Sequence, residues 1–167
     1  MSFRCASCGE LHDFPFAFGS DAPAYWRPDY EAEGRGVLGA ENCEIDEHRF
    51  VRGRVCIPVV DADTEFEWGV WVSLSETNYE RMLELWHTPG REHEPAYFGW
   101  LSTDLPLYEP STLLLKSMVK TSPLGERPRV ELEQTEHPLA VEQREGIRLE
   151  RVREIALVLL HPDADVA

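Results

Sequence analysis

Apolar and polar residues alternate most regularly in two consecutive stretches near the middle of the chain. From Phe50 to Pro58, Val51, Val55 and Ile57 fall on one face and Arg52, Arg54 and Cys56 on the other. From Phe66 to Leu74, Trp68, Val70, Val72 and Leu74 oppose Gly69, Trp71 and Ser73. A period of two is that of a half-buried strand, and the acidic turn Asp61 to Asp63 between the stretches predicts an antiparallel pair. The period then lengthens. Tyr79, Met82, Leu83 and Trp86 recur at the spacing of one helix face, opened by Ser73 or Ser75 and stopped by Pro89 and Gly90. Tyr97 to Leu101, Leu113 to Val119 and Arg129 to Glu133 follow as shorter strand candidates separated by prolines. At the C-terminal end Pro138 suits a first helical turn and Gly146 a helix end. Leu149, Val152, Ile155, Ala156, Leu159 and Leu160 then form an amphipathic face before Pro162.

These patterns predict an α+β fold in which an antiparallel or mixed sheet packs against helices, since two layers bury both kinds of apolar face. Residues 10 to 48 read differently, because Pro15, Pro23, Pro28, Gly34, Gly36 and Gly39 interrupt any long periodic element. The expectation is one domain over residues 1–167 whose first 48 residues are largely irregular and need an anchor. A chain of 167 residues buries roughly 70% of its unfolded surface, so a core does not depend on that anchor.

Composition narrows the partners more than the fold. Sixteen basic residues against 31 acidic ones give a formal charge of −15, which disfavours nucleic acid. Residues 61 to 110 hold eleven acidic side chains against only Arg81 and Arg91, a local excess of nine. That segment reads as a solvated face, with docking of a basic protein partner as the sharper alternative. No apolar run reaches the length of a membrane span, and the patch from Phe14 to Phe18 is too short for a secretion signal, so the cytoplasm is the expected location.

Cysteine spacing supplies the clearest chemistry. Cys5 and Cys8, followed by Gly9, form a Cys-x-x-Cys-Gly knuckle, in which a tight turn aims two sulfurs at one ion and glycine relieves crowding of the backbone. The pattern fits structural zinc better than disulfides. Cys43, at the end of the interrupted segment, is the expected third ligand, and His12, His48 and Cys56 compete for the fourth position. The ligand set adopted here is Cys5, Cys8, Cys43 and His12. Four protein ligands leave no place for water and argue against catalysis at the metal.

The aromatic residues offer a second candidate surface. Trp68 and Trp86 fall at core positions, whereas Trp71 lies on the opposite strand face, where either a second layer covers it or it marks a binding surface. Arg52, Arg54, Trp71, Trp100 and His137 are the candidate binding residues. Two functional readings follow. One is a binding or protein-interaction module with a structural metal. The alternative is an enzyme using a pocket of aromatic, histidine or acidic, and arginine residues. The chain has no Gly-rich phosphate loop, nucleophile elbow or His-Glu-x-x-His helix, and His137 before Pro138 suits a helix cap. The module is therefore preferred.

Several local sequences combine into a family resemblance. They are Phe3-Arg-Cys-Ala-Ser-Cys-Gly9, Phe50-Val-Arg-Gly53 and Trp68-Gly-Val-Trp-Val-Ser-Leu-Ser75 with Asn78 and Arg81. Tyr97-Phe-Gly-Trp-Leu101, Leu105-Pro106, Arg127-Pro128 with Val130 and Leu132, and the run from His137 to Ile147 complete the set. Together they resemble the DUF2199 family of uncharacterised bacterial proteins over nearly the whole chain. The resemblance implies a single-domain family member and carries no activity or catalytic residues onto these positions.

Overall fold

The computed structural model describes residues 1–162. Ten strands and three α-helices are present among them. The strands are β1 (Ser2–Arg4), β2 (Leu11–Asp13), β3 (Ala17–Gly19), β4 (Gly36–Leu38), β5 (Asn42–Ile45), β6 (His48–Val59), β7 (Thr64–Leu74), β8 (Tyr97–Leu101), β9 (Lys116–Lys120) and β10 (Arg129–Leu132). The helices are α1 (Glu76–Glu84), α2 (Pro138–Glu145) and α3 (Leu149–Leu160). The α+β expectation holds, with a mixed sheet.

β6 and β7 pair antiparallel along their whole length, from Arg49 opposite Leu74 to Val59 opposite Thr64. This is the hairpin predicted from the two alternating stretches. β8, β9 and β10 continue as an antiparallel meander, and β10 returns to lie parallel to β6 at Arg129 and Arg54, where the Arg54 N–H donates to the Pro128 carbonyl. Five strands thus close into a barrel with no free edge between them. Closure is tight at Gly99, where a Cβ would run into the Val72 side chain and the Ser73 carbonyl.

The barrel interior is apolar because every second residue of each strand points inward. Val55, Ile57, Phe66, Val70, Leu101 and Val119 are fully enclosed. Tyr79 and Met82 of α1, Leu139 of α2, and Val152 and Ile155 of α3 join the same core. Ser75 caps α1 by accepting from the Asn78 N–H, and His137 caps α2 by accepting from the Leu139 N–H. Both caps satisfy amides that a helix start leaves unpaired.

The N-terminal 48 residues are more ordered than their prolines and glycines suggest, since β1 to β5 all fall there or end just inside it. β5 and β4 extend the sheet beyond β6, and β3 adds to β7 in parallel. Each of these strands is three or four residues long, too short to show a period. β1 and β2 form a separate two-stranded hairpin outside the main sheet. No helix among the described residues is long and apolar enough to cross a membrane.

Candidate metal centre

The knuckle forms from a short backbone circuit. The Gly9 N–H donates to the Cys5 carbonyl at 2.9 Å, and the Cys5 N–H donates to the Glu10 carbonyl at 2.8 Å, closing a turn between β1 and β2. Gly9 has a φ of 74°, a left-handed conformation that glycine adopts without Cβ strain. The turn leaves Cys8 exposed and Cys5 buried. On β2, His12 sits opposite Phe3 of β1, and its Nε2 lies 3.2 Å from the Cys8 Sγ.

The fourth member comes from the far end of the chain. His161 caps the C-terminus of α3, where its N–H donates to the Leu157 carbonyl, and its Nε2 lies 3.1 Å from the Cys5 Sγ. The ligand atoms of Cys5, Cys8, His12 and His161 all fall within 4.8 Å of one another, close enough to hold one metal ion. A tetrahedral zinc would separate sulfur from nitrogen by about 3.5 Å, near the observed spacings. The C-terminal end of a helix also carries partial negative charge, which favours a cation beside His161.

Hydrogen bonding within the knuckle turn acts on the Cys5 thiol. Burial raises its thiol pKa, but backbone and side-chain hydrogen bonds from Cys8 and Ser7 outweigh burial, and the net shift is downward. Around it, Phe3, Phe14 and Phe18 pack with Ala156 and Leu157 of α3. Apolar contact and ligand geometry therefore join the same two pieces of chain.

The structure does not bring Cys43 to this group. Cys43 lies on β5 in a second apolar cluster with Ile45, Phe50 and Trp71, and burial, followed by the nearby Glu44, pushes its thiol up to about 11. His48 begins β6 at the turn from β5 and is exposed. Cys56 falls in another group, with Glu65 and Glu67. There Arg129 holds Glu65 at 2.6 Å and Arg54 holds Glu67 at 3.1 Å, so guanidinium groups already balance both carboxylates.

Of the other candidate residues, Arg52 and Trp71 are brought together as cross-strand partners, the guanidinium 5.8 Å from the ring centroid. Trp71 is 0% exposed: its indole N–H donates to the Ser20 carbonyl, and it is buried in a cluster with Cys43, Ile45 and Phe50 against which Trp26, Tyr30 and Leu38 pack. The second layer, rather than a binding surface, accounts for this tryptophan. Arg52 donates to the Ala40 carbonyl and to Asp21, while Arg54 donates to the Arg127 carbonyl and Glu67. His137 caps α2 through Nδ1, and its Nε2 lies 2.8 Å from the Pro110 carbonyl. Trp100 stands apart on the outer face of β8, 40% exposed.

Fold and site together define an α+β protein built on a closed five-stranded barrel, with a Cys/His cluster joining an N-terminal hairpin to the last helix. The model of a family described as uncharacterised proteins conserved in bacteria, DUF2199, matches residues 4–147, and the chain belongs to that family. Cys5, Cys8 and His12 lie inside the matched region and His161 outside it. No curated protein and no solved structure matches the chain.

Proposed function

We propose that this protein is a binding module for a protein partner, held together by a structural zinc ion at Cys5, Cys8, His12 and His161. Two thiolates and two imidazoles form a donor set that suits zinc, and four protein ligands fill its tetrahedral shell. Such a centre stabilises a fold and leaves no position for a substrate. The ion's part is to tie the hairpin to α3.

One observation carries the binding reading. Phe98 and Trp100 of β8 and Met118 of β9 stand side by side on the outer face of the barrel, 44%, 40% and 40% exposed. Phe98 is in register with Met118, and its ring meets Trp100 edge to face at 5.2 Å. Lys116 faces Trp100 across the strand pair, its ammonium 6.0 Å from the ring. Aromatic residues and methionine grouped on a rigid strand face are the composition of an interface centre. The chain's only lysines, Lys116 and Lys120, both lie on β9. Lys120 is tied to the carbonyls of Glu92 and Glu94, whereas Lys116 forms no ion pair among the described residues. Glu131 of β10, in register with Met118, places a carboxylate on the same face, so an apolar segment of a partner flanked by charges of both signs complements it. The enzyme alternative has a cleft of the expected lining, with Trp86, His87, Arg54, Arg127, Glu41 and Glu126, but Arg127 is paired with Glu41 and Arg54 with Glu67, and Trp71, Trp100 and His137 lie outside it.

Affinity capture from a bacterial lysate, run beside the Phe98→Ala/Trp100→Ala variant, tests this reading. A partner retained by the wild type and rebound after purification should bind the variant about 30-fold more weakly, as loss of an aromatic hot spot implies. Unchanged retention by the variant, or thermal stabilisation by one metabolite class without any partner, overturns it.

A further inference from the structure

We propose that the Cys/His centre is an oxidant-sensitive latch, in which a hydroperoxide converts Cys5 and Cys8 to a disulfide, expels the metal and releases the N-terminal hairpin from α3. The inference rests on the zinc reading above and deepens it. Three features of the site lead to it.

The first is access. Cys8 is exposed and Cys5 is buried, so an oxidant meets the Cys8 sulfur first and leaves Cys5 in place to resolve it. The chain's two other cysteines provide an internal contrast: Cys43 and Cys56 are both buried and both have raised thiol pKa values. Buried, protonated thiols react slowly.

The second is geometry. Two thiolates on a tetrahedral zinc sit about 3.8 Å apart, whereas a disulfide requires about 2.0 Å. Ligation by both sulfurs and the disulfide are therefore mutually exclusive. The chemistry balances with peroxide alone as oxidant. The Cys8 thiolate attacks one peroxide oxygen, an S–O bond forms, the O–O bond breaks, and the departing group, hydroxide from hydrogen peroxide or alkoxide from an organic hydroperoxide, takes a proton to become water or an alcohol. The Cys5 thiolate then attacks the Cys8 sulfur, the S–S bond forms, the S–O bond breaks, and a hydroxide leaves as water. Each sulfur loses one electron, and the peroxide gains two.

The third is what the metal holds. β1 and β2 form a two-stranded sheet of three residues per strand, outside the barrel. A hairpin that small is not stable alone in water. Its attachments to α3 are the apolar packing of Phe3, Cys5 and Phe14 around Ala156 and Leu157, the Arg153 guanidinium 5.8 Å from the Phe3 ring, the edge contact of the His12 and His161 rings, and the Cys5–His161 link. Once the sulfurs pair with each other, the link is lost and only the packing and ring contacts remain. The barrel shares none of these ligands.

Zinc-loaded full-length protein is treated with hydrogen peroxide while a chromogenic chelator reports free zinc. Disulfides are mapped by mass spectrometry, and amide exchange is followed in residues 2–13, 149–160 and 64–74. Expected are one zinc released per Cys5–Cys8 disulfide, exchange at least ten times faster in 2–13 and at the end of α3, and unchanged protection in 64–74. Reductant plus zinc should restore the starting state. Cys8→His, which keeps a ligand but removes the disulfide, should retain zinc under peroxide, and Cys43→Ala should respond as the wild type does. Retention of zinc by oxidised wild-type protein overturns the latch while leaving structural zinc standing, as does disulfide formation with the hairpin still protected. Protein that binds no zinc before oxidation overturns both readings.

Discussion

Arg91 illustrates how much a single side chain can hold. Only 7% exposed, it donates to the carbonyls of Trp86, Ser122, Pro123 and Glu126, and its guanidinium lies 5.4 Å from the Trp86 ring centroid. One planar group thereby gathers the end of α1 and the loop before β10. Lysine keeps the charge but has one nitrogen, which cannot reach all four carbonyls. Arg91→Lys should cost about 2 kcal/mol or more, read as a lowered midpoint of chemical unfolding, because buried acceptors lose their donors. Nothing local in the sequence separates Arg91 from any solvated arginine, since its partners lie up to 35 positions away. The ligands show the same limit. Cys5, Cys8 and His12 were legible because one turn and one short strand bring them together. His161 was not, as 156 positions separate it from Cys5 and it stands just beyond the amphipathic pattern of α3. Cys43 drew attention as an isolated cysteine at the end of an irregular segment, yet its neighbours on β5 and β6 make it an ordinary apolar core residue.

At the scale of elements, the end signals Pro138 and Gly146 located α2, and the apolar pattern located β6, β7, β8, β10, α1 and α3. It placed β9 too early, at Leu113 instead of Lys116; Leu114 has a φ of 65°, which breaks an extended strand there. Contacts between elements were beyond its reach. Glu94 is one such joint: it accepts from Arg81 of α1 and from the Tyr97 hydroxyl of β8. Hydrogen bonds from Arg81, then from Tyr97, lower its carboxyl pKa below the ordinary 4.5. A carboxyl lowered by folding contributes stability that is fully present above its unfolded value and is lost as pH falls through its folded value. Glu94→Gln should therefore unfold more easily than the wild type at pH 7, and the difference should shrink as pH drops below about 4.5. Unfolding midpoints at pH 7 and pH 3 check this; an equal difference at both values would contradict it.

For the whole molecule, barrel closure and the Cys/His cluster are the two long-range features. Closure depends on β10 returning to β6 through one short parallel contact, a pairing that no alternation in either strand announces. The cluster joins a hairpin at residues 2–13 to the end of α3 and so links the two ends of the described chain. A zinc ion bound there, as proposed, would contribute to folding directly, because the unfolded chain has no preformed site. The central claim is that this ion is bound and that His161, not Cys43, completes its shell. Elemental analysis of untagged protein, purified reduced and without chelator, tests it most directly. The account predicts about one zinc per chain in the wild type and in Cys43→Ala, with a marked loss in His161→Ala; wild-type protein without stoichiometric zinc, or zinc lost with Cys43 and kept without His161, would contradict it.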